Sequence, residues 1–183
     1  MGLLERGVKE FPPVLDATCG GRMMWFDKAN PAALYVDNRE IADVELCDGR
    51  RFSVKPDVKA DFRDLPFPDS TFRLVVFDPP HLVRAGEDSY MKVKYGKLES
   101  GWEKTLHDGF SECMRVLRPG GTLIFKWNEY QVPVKAVIRA LGAEPLFGHR
   151  SGRASKTHWM VFLKPEETET EAKSKENFTC RFS

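Results

Sequence analysis

Hydrophobic positions in this chain fall into short runs, most of which end in a carboxylate. Pro13-Val14-Leu15-Asp16-Ala17 is the first, Ala33-Leu34-Tyr35-Val36-Asp37 the second, and Val58-Lys59-Ala60-Asp61 a weaker third. Phe72-Arg73-Leu74-Val75-Val76-Phe77-Asp78 is the fourth, and Thr122-Leu123-Ile124-Phe125-Lys126-Trp127 a fifth without the acid. Runs as continuously apolar as the last two predict central strands of a parallel sheet, because a half-exposed strand would alternate. Between them Leu106, Phe110, Cys113, Met114 and Leu117 recur at helical spacing and predict a helix over 102–117. Arg118-Pro119-Gly120-Gly121 is expected to stop that helix and turn the chain. A second helix is predicted over 134–141, closed by Gly142. Pro145-Leu146-Phe147-Gly148 and Thr157-His158-Trp159-Met160-Val161-Phe162-Leu163 predict a terminal antiparallel hairpin. The alternation predicts a doubly wound α/β fold: a mostly parallel seven-stranded sheet with a C-terminal hairpin and helices on both faces.

The folded domain is expected to span 1–165. Residues 166–183 begin Glu-Glu-Thr-Glu-Thr-Glu, carry no core pattern and are expected to form a disordered charged tail. The first residues contain no long apolar stretch, and no run approaches the ~18 residues of a membrane span, so a cytoplasmic, non-membrane protein is expected. Cys19, Cys47, Cys113 and Cys180 form no CxxC pair and have no nearby His at a zinc spacing, so no metal site is expected. Lys and Arg number 28 against 27 acids, a net charge of +1, so any nucleic-acid surface must be a local patch.

In an open parallel sheet ligands bind beyond the carboxyl ends of the strands. Asp16, Asp37, Asp61 and Asp78 all belong there. One such acid is commonly a turn former or cap; four on one edge point to a site. After the first strand, Ala17-Thr18-Cys19-Gly20-Gly21 lets backbone approach a ligand. Asp37 follows Asp16 by 21 residues, about the ~20-residue spacing of a ribose-binding acid. The turn lacks the GxGxxG fingerprint, which disfavours a dinucleotide. Asp78-Pro79-Pro80-His81 is the sharper signal. Two prolines fix φ and remove two donors, so the carbonyls and the carboxylate are expected to stand as free, aimed acceptors for an amine, with His81 stacking on a planar ring.

These residues resemble the class I, Rossmann-like S-adenosylmethionine-dependent methyltransferases, over 14–163. Asp16, Ala17, Thr18, Cys19 and Gly20 resemble the family's first motif, with Thr18 standing where glycine is usual. Asp37, with Asn38 beside it, resembles the acid that holds the ribose hydroxyls, and Asp61-Phe62 the pair that contacts adenine. Val116-Leu117-Arg118-Pro119-Gly120-Gly121 resembles the turn before the fifth strand. Asp78-Pro79-Pro80-His81 is similar to the catalytic motif of enzymes that methylate planar nitrogens, mostly in nucleic acid, with His81 where Tyr, Phe or Trp is usual. The resemblance implies S-adenosylmethionine as cofactor and methyl transfer to an exocyclic amine of RNA or DNA, the base flipped out or single-stranded.

Two basic segments fit such a substrate. Lys92, Lys94 and Tyr95 follow the Pro-Pro turn, and Arg150, Arg153 and Lys156 lie in the predicted hairpin loop. Either segment is also readable as a solvated loop. The target is then reached through these loops, a recognition partner or a homodimer. A methyltransferase for a small molecule or protein side chain remains an alternative, and so does a non-catalytic cofactor-binding scaffold.

Overall fold

The computed structural model of the chain describes residues 11–46, 49–86, 90–152 and 155–166. Strands β1 (Val14–Asp16), β2 (Ala33–Asp37), β5 (Val58–Lys59), β6 (Phe72–Phe77), β7 (Leu117–Asn128), β8 (Phe147–Arg150) and β9 (Thr157–Leu163) form one seven-stranded sheet in the order β5-β2-β1-β6-β7-β9-β8. The first five pair in parallel, and β9 joins β7 and β8 antiparallel. This is the expected sheet, with its order reversing between β1 and β6, where a crevice opens at the carboxyl edge.

Alternation along the strands puts Leu15, Val36, Val75, Phe77, Leu123, Phe125 and Trp127 in one core. Helices α2 (Trp102–Val116) and α3 (Val134–Leu141) close that core, α2 through Leu106, Phe110 and Cys113 on one stripe, α3 through Val137 and Leu141. Gly109 lies on the same stripe. A Cβ there would stand 2.4 Å from the Phe62 ring and 3.0 Å from Phe77. Gly109→Ala is therefore expected to lower stability by about 1–3 kcal/mol through overpacking, measured as an earlier urea midpoint. An unchanged midpoint would mean that Phe62 repacks freely.

The opposite side of β1 and β2 is covered without a helix. Trp25 and Cys19, from the turns after β1, pack on Ala33 and Tyr35. Between β2 and β5 the chain forms a separate hairpin, β3 (Ile41–Glu45) with β4 (Arg51–Val54), around Leu46, Phe52 and Val54. Sequence periodicity did not mark this hairpin, although Asp48-Gly49 between two β-prone segments is a turn signal. The Arg118-Pro119-Gly120-Gly121 segment also behaves differently from expectation. It does not separate helix from strand, because β7 already begins at Leu117, and its pairing with β6 slips between Leu117 and Thr122. Lys164 holds the irregular stretch: its Nζ donates to the Leu117 carbonyl at 2.6 Å, and its backbone exchanges hydrogen bonds with Gly120 and Gly121. Among the described residues no helix is long and apolar enough to cross a membrane. The tail beyond 166 and Arg153 lie outside the described residues.

Candidate functional site

The carboxyl ends of β1, β2, β6 and β7 meet around two adjoining cavities. The first is lined by Thr18, Cys19, Gly20, Met24, Asp78, Pro79, His81, Lys126 and neighbouring residues. The second is lined by Ala17, Asp37, Asn38, Phe62 and Pro80 among others. Thr18, Arg39, Asp78 and Tyr95 border both, so they form one bent cleft. Helix α1 (Tyr90–Tyr95) brings Lys94 and Tyr95 to its rim.

The glycine turn and the Pro-Pro turn are physically coupled. The Asp78 backbone N–H donates to Thr18 Oγ1 at 2.9 Å. Thr18, the residue that departs from the glycine pattern, thus supplies the acceptor that sets where Asp78 begins its turn. Asp16 sits behind the cleft rather than in it. It is fully buried, with its carboxylate accepting from the Thr18 N–H at 3.2 Å and the Trp25 indole N–H at 2.7 Å. Burial pushes its carboxyl up to about 7, against the pull of those two hydrogen bonds. Asp16 is therefore a brace for the turn, not a lining residue. Cys19 is also braced and buried, its thiol pushed up to about 12 mainly by desolvation, which leaves it protonated and not nucleophilic.

Asp37 is buried and saturated. Gly20 N–H donates to Oδ2 at 2.9 Å, while Arg39 donates from its backbone N, Nε and one terminal nitrogen at 2.9–3.1 Å. A second Arg39 nitrogen reaches the Val93 carbonyl of α1 at 3.1 Å. A carboxylate accepts about four hydrogen bonds, so a ribose diol reaches Asp37 only if Arg39 swings away. Sequence reading missed Arg39, since an Arg two residues after a strand-end acid carries no motif. Phe62 lines the cleft as expected, but Asp61 does not. Arg63 takes its carboxylate through three hydrogen bonds of 2.7–3.0 Å and holds it below the usual carboxylate range. That neighbour, two residues along, already occupies three of the acceptor positions of Asp61.

The Asp78 carboxylate is not the free acceptor expected of the Pro-Pro turn. Lys126, in the middle of the fifth apolar run, reaches across from β7 and donates to Oδ2 at 2.5 Å. Oδ1 has no hydrogen-bond partner among the described residues. Burial raises the Asp78 carboxyl and Lys126 opposes it. The Lys126 ammonium also stands 5.7 Å from the Trp159 ring. His81 lies 5.4 Å from Tyr95 and is lowered to about 4 by desolvation, then by the Lys126 charge, so its imidazole is neutral at pH 7. A lysine in an apolar strand is invisible to periodicity as a functional group; only the fold places it on Asp78.

The basic segments divide. Lys94 and Tyr95 border the cleft, with the ammonium 5.1 Å from the ring. Lys92 is on α1 but does not line it. Arg150 is ion-paired with Glu129, and His158 Nε2 lies 3.1 Å from the same carboxylate, which the two basic groups draw down to about 2. Lys156 stacks 4.7 Å over Tyr130. The hairpin loop has no acid of its own, but folding delivers one from the end of β7, so Arg150 is not the open cation expected there. Among the described residues no group of His, Cys, Asp and Glu could hold a metal.

No protein-family model and no curated protein matches the sequence. Solved structures do share the fold. A SAM-dependent methyltransferase of Methanosarcina mazei superposes over 87% of this chain and 95% of its own, at 12% identity and a TM-score of 0.50. A Pyrococcus horikoshii protein superposes over 84% of this chain and 81% of its own, at 16% identity and a TM-score of 0.50. A Thermus thermophilus protein provisionally described as a DNA modification methylase matches 67% of this chain and 62% of its own, at 22% identity. Its TM-score of 0.39 is too low to argue from. At these identities the likeness establishes a Rossmann-like fold, the fold of a SAM-dependent methyltransferase in one case.

Proposed function

We propose that this chain is an S-adenosylmethionine-dependent methyltransferase that acts on a planar nitrogen, an exocyclic amine of a nucleobase in RNA or DNA. The observation that carries the reading is the Asp78-Pro79-Pro80-His81 turn, tied through Thr18 to the glycine turn and bordering the same cleft. The donor and acceptor set fits the cofactor. Asp37 and Asn38 would hold the ribose once Arg39 moves, Phe62 and Pro80 would flank the adenine, and Thr18 to Gly21 would take the methionine part. The cofactor supplies a methyl group on a sulfonium sulfur; the nitrogen–carbon bond forms as the carbon–sulfur bond breaks, and sulfur keeps the electron pair.

The remaining work falls to the chain. Asp78 Oδ1 and the Pro79 carbonyl take the two amine hydrogens, which turns the nitrogen lone pair toward the methyl group. His81 stacks on the ring. Its neutrality keeps a second positive charge away from the sulfonium. The proton released from nitrogen passes to Asp78, whose burial raises its proton affinity.

Isothermal titration of S-adenosylmethionine and S-adenosylhomocysteine tests the cofactor assignment. The wild type is expected to bind both, and Asp37→Ala to bind about 10- to 100-fold more weakly, the loss of about 1.5–3 kcal/mol of charged hydrogen bonding. Equal affinity in the two proteins would remove Asp37 from the site. Radiolabelled methyl transfer to RNA, DNA and free nucleosides tests the acceptor; label appearing only in proteins or small metabolites would overturn the nucleobase reading.

A further inference from the structure

The cleft is narrow for a nucleoside. Its two cavities offer about 50 and 40 Å³, where sites for ligands of cofactor size run to roughly 300–1,000 Å³. A wall therefore has to move before the cofactor and an acceptor base both enter. Helix α1 is the wall with the least to hold it. It is six residues long, and none of its described side chains is buried. Behind it the chain is anchored by the buried Leu98, whose N–H donates to the Leu82 carbonyl at 2.7 Å. Between helix and anchor stands Gly96, with a φ of +73°. A Cβ there would lie 3.0 Å from the Pro80 ring and 3.7 Å from an Arg39 terminal nitrogen. The end of α1 is thus seated on the Pro-Pro turn, with Tyr95 5.4 Å from His81.

Arg39 ties this helix to the acid at the end of β2. Its Nε and one terminal nitrogen grip the two oxygens of Asp37 at 3.0 and 3.1 Å, a planar fork on a carboxylate. Its other terminal nitrogen donates to the Val93 carbonyl at 3.1 Å. The guanidinium is rigid, so it cannot leave Asp37 and keep its bond to Val93. Arg39 and Tyr95 also border both cavities. We propose that Arg39 is a latch between the two halves of the cleft: a cofactor ribose taking Asp37 displaces the guanidinium, Val93 is released, and α1 swings off the Pro-Pro turn about Gly96. The cofactor then binds first and opens the way for the acceptor amine. The inference rests on the cofactor reading above and deepens it. A latch of this kind holds the apparent affinity below the intrinsic one, because only the unlatched fraction accepts the ribose.

Titration of S-adenosylhomocysteine, followed by hydrogen exchange across 93–96, reads both ends of the latch. In the wild type, protection across 93–96 is expected to fall at least about fivefold on saturation. Arg39→Ala is expected to bind about 5- to 20-fold more tightly, since the competitor for Asp37 is gone, and to exchange fast with or without ligand. Arg39→Lys keeps a charge for Asp37 but has no second arm for Val93. It is expected to bind within about threefold of wild type, with α1 exchanging fast in both states. Weaker binding by Arg39→Ala would overturn the latch and make the guanidinium part of the cofactor site. Exchange across 93–96 that is equal in the free and saturated wild type would overturn the coupling while the binding itself upholds the cofactor reading. If neither the wild type nor Arg39→Ala binds, the cofactor reading falls and the latch with it.

Discussion

Replacing Asp78 with asparagine is expected to reduce methyl transfer about 100- to 1000-fold while cofactor affinity stays within about threefold. The backbone N–H that anchors the turn on Thr18 survives the substitution, and so do both prolines. What changes is the side chain presented to the amine. Lys126 will draw the asparagine carbonyl oxygen, as it now draws Oδ2, and this turns the amide NH2 toward the substrate. A donor then faces a donor, the lone pair of the nitrogen is no longer steered, and no carboxylate is left to take the proton. Losing one preorganised charged partner of this kind costs about 2.7–4 kcal/mol of transition-state stabilisation, which sets the expected range. Asp78→Ala should behave alike, without the misplaced amide. Single-turnover kinetics and titration calorimetry on the same preparation check the split. If cofactor binding disappears with turnover, Asp78 belongs to the cofactor half of the cleft and the amine-holding role is wrong.

Lys126→Met should lower activity at pH 7 about 10- to 100-fold and restore part of it at higher pH. Burial raises the Asp78 carboxyl, and the Lys126 charge is what pulls it back. Removing that charge moves the group further up, so a larger fraction is protonated at neutral pH and cannot accept from an amine. A carboxyl with a raised pKa gains its charged form only as pH climbs through that value, so the acid limb of the kcat/KM profile shifts to higher pH. The size follows from about 1.5–3 kcal/mol for a hydrogen bond between charged groups. The same substitution lifts a charge that helps lower His81, so His81 titrates nearer its ordinary value. Lys126→Arg keeps the charge and is expected to keep the wild-type limb, which separates a charge effect from a packing effect. A methionine variant that is faster than wild type, with its limb unmoved, would show that Lys126 merely blocks the amine position.

Much of this protein could be read from the order of its residues. The parallel strands, helices α2 and α3 and the terminal hairpin are local or periodic signals, and each is present. Three of the four strand-end acids, Asp16, Asp37 and Asp78, sit at or just behind a cleft on the carboxyl edge of the sheet, and the rigid Pro-Pro turn borders that cleft. Pattern failed wherever a partner came from far along the chain. Asp78 and Lys126 are 48 residues apart, Thr18 and the Asp78 N–H 60, and Arg150 and Glu129 21. The partners of Asp61 and Asp37 were hidden for the opposite reason: each has an arginine two residues on, and spacing alone does not say whether that arginine folds back.

Sequence by itself determined the parallel strands, the helices packed on them and the edge where the strand-end acids lie, because backbone hydrogen bonding and burial of apolar side chains follow from short-range pattern. The tertiary structure alone decided which of four similar carboxylates are open and which are saturated. It made Asp16 a buried brace, placed an arginine on each of Asp37 and Asp61, and left Asp78 with one oxygen on Lys126 and one unpartnered among the described residues. It also set the β3–β4 hairpin against the glycine turn, which builds a cavity from residues of three separate segments. A carboxylate's role depends on the few charges and donors within about 4 Å, and those neighbours are chosen by the packing of distant strands, not by the residues beside it in the chain.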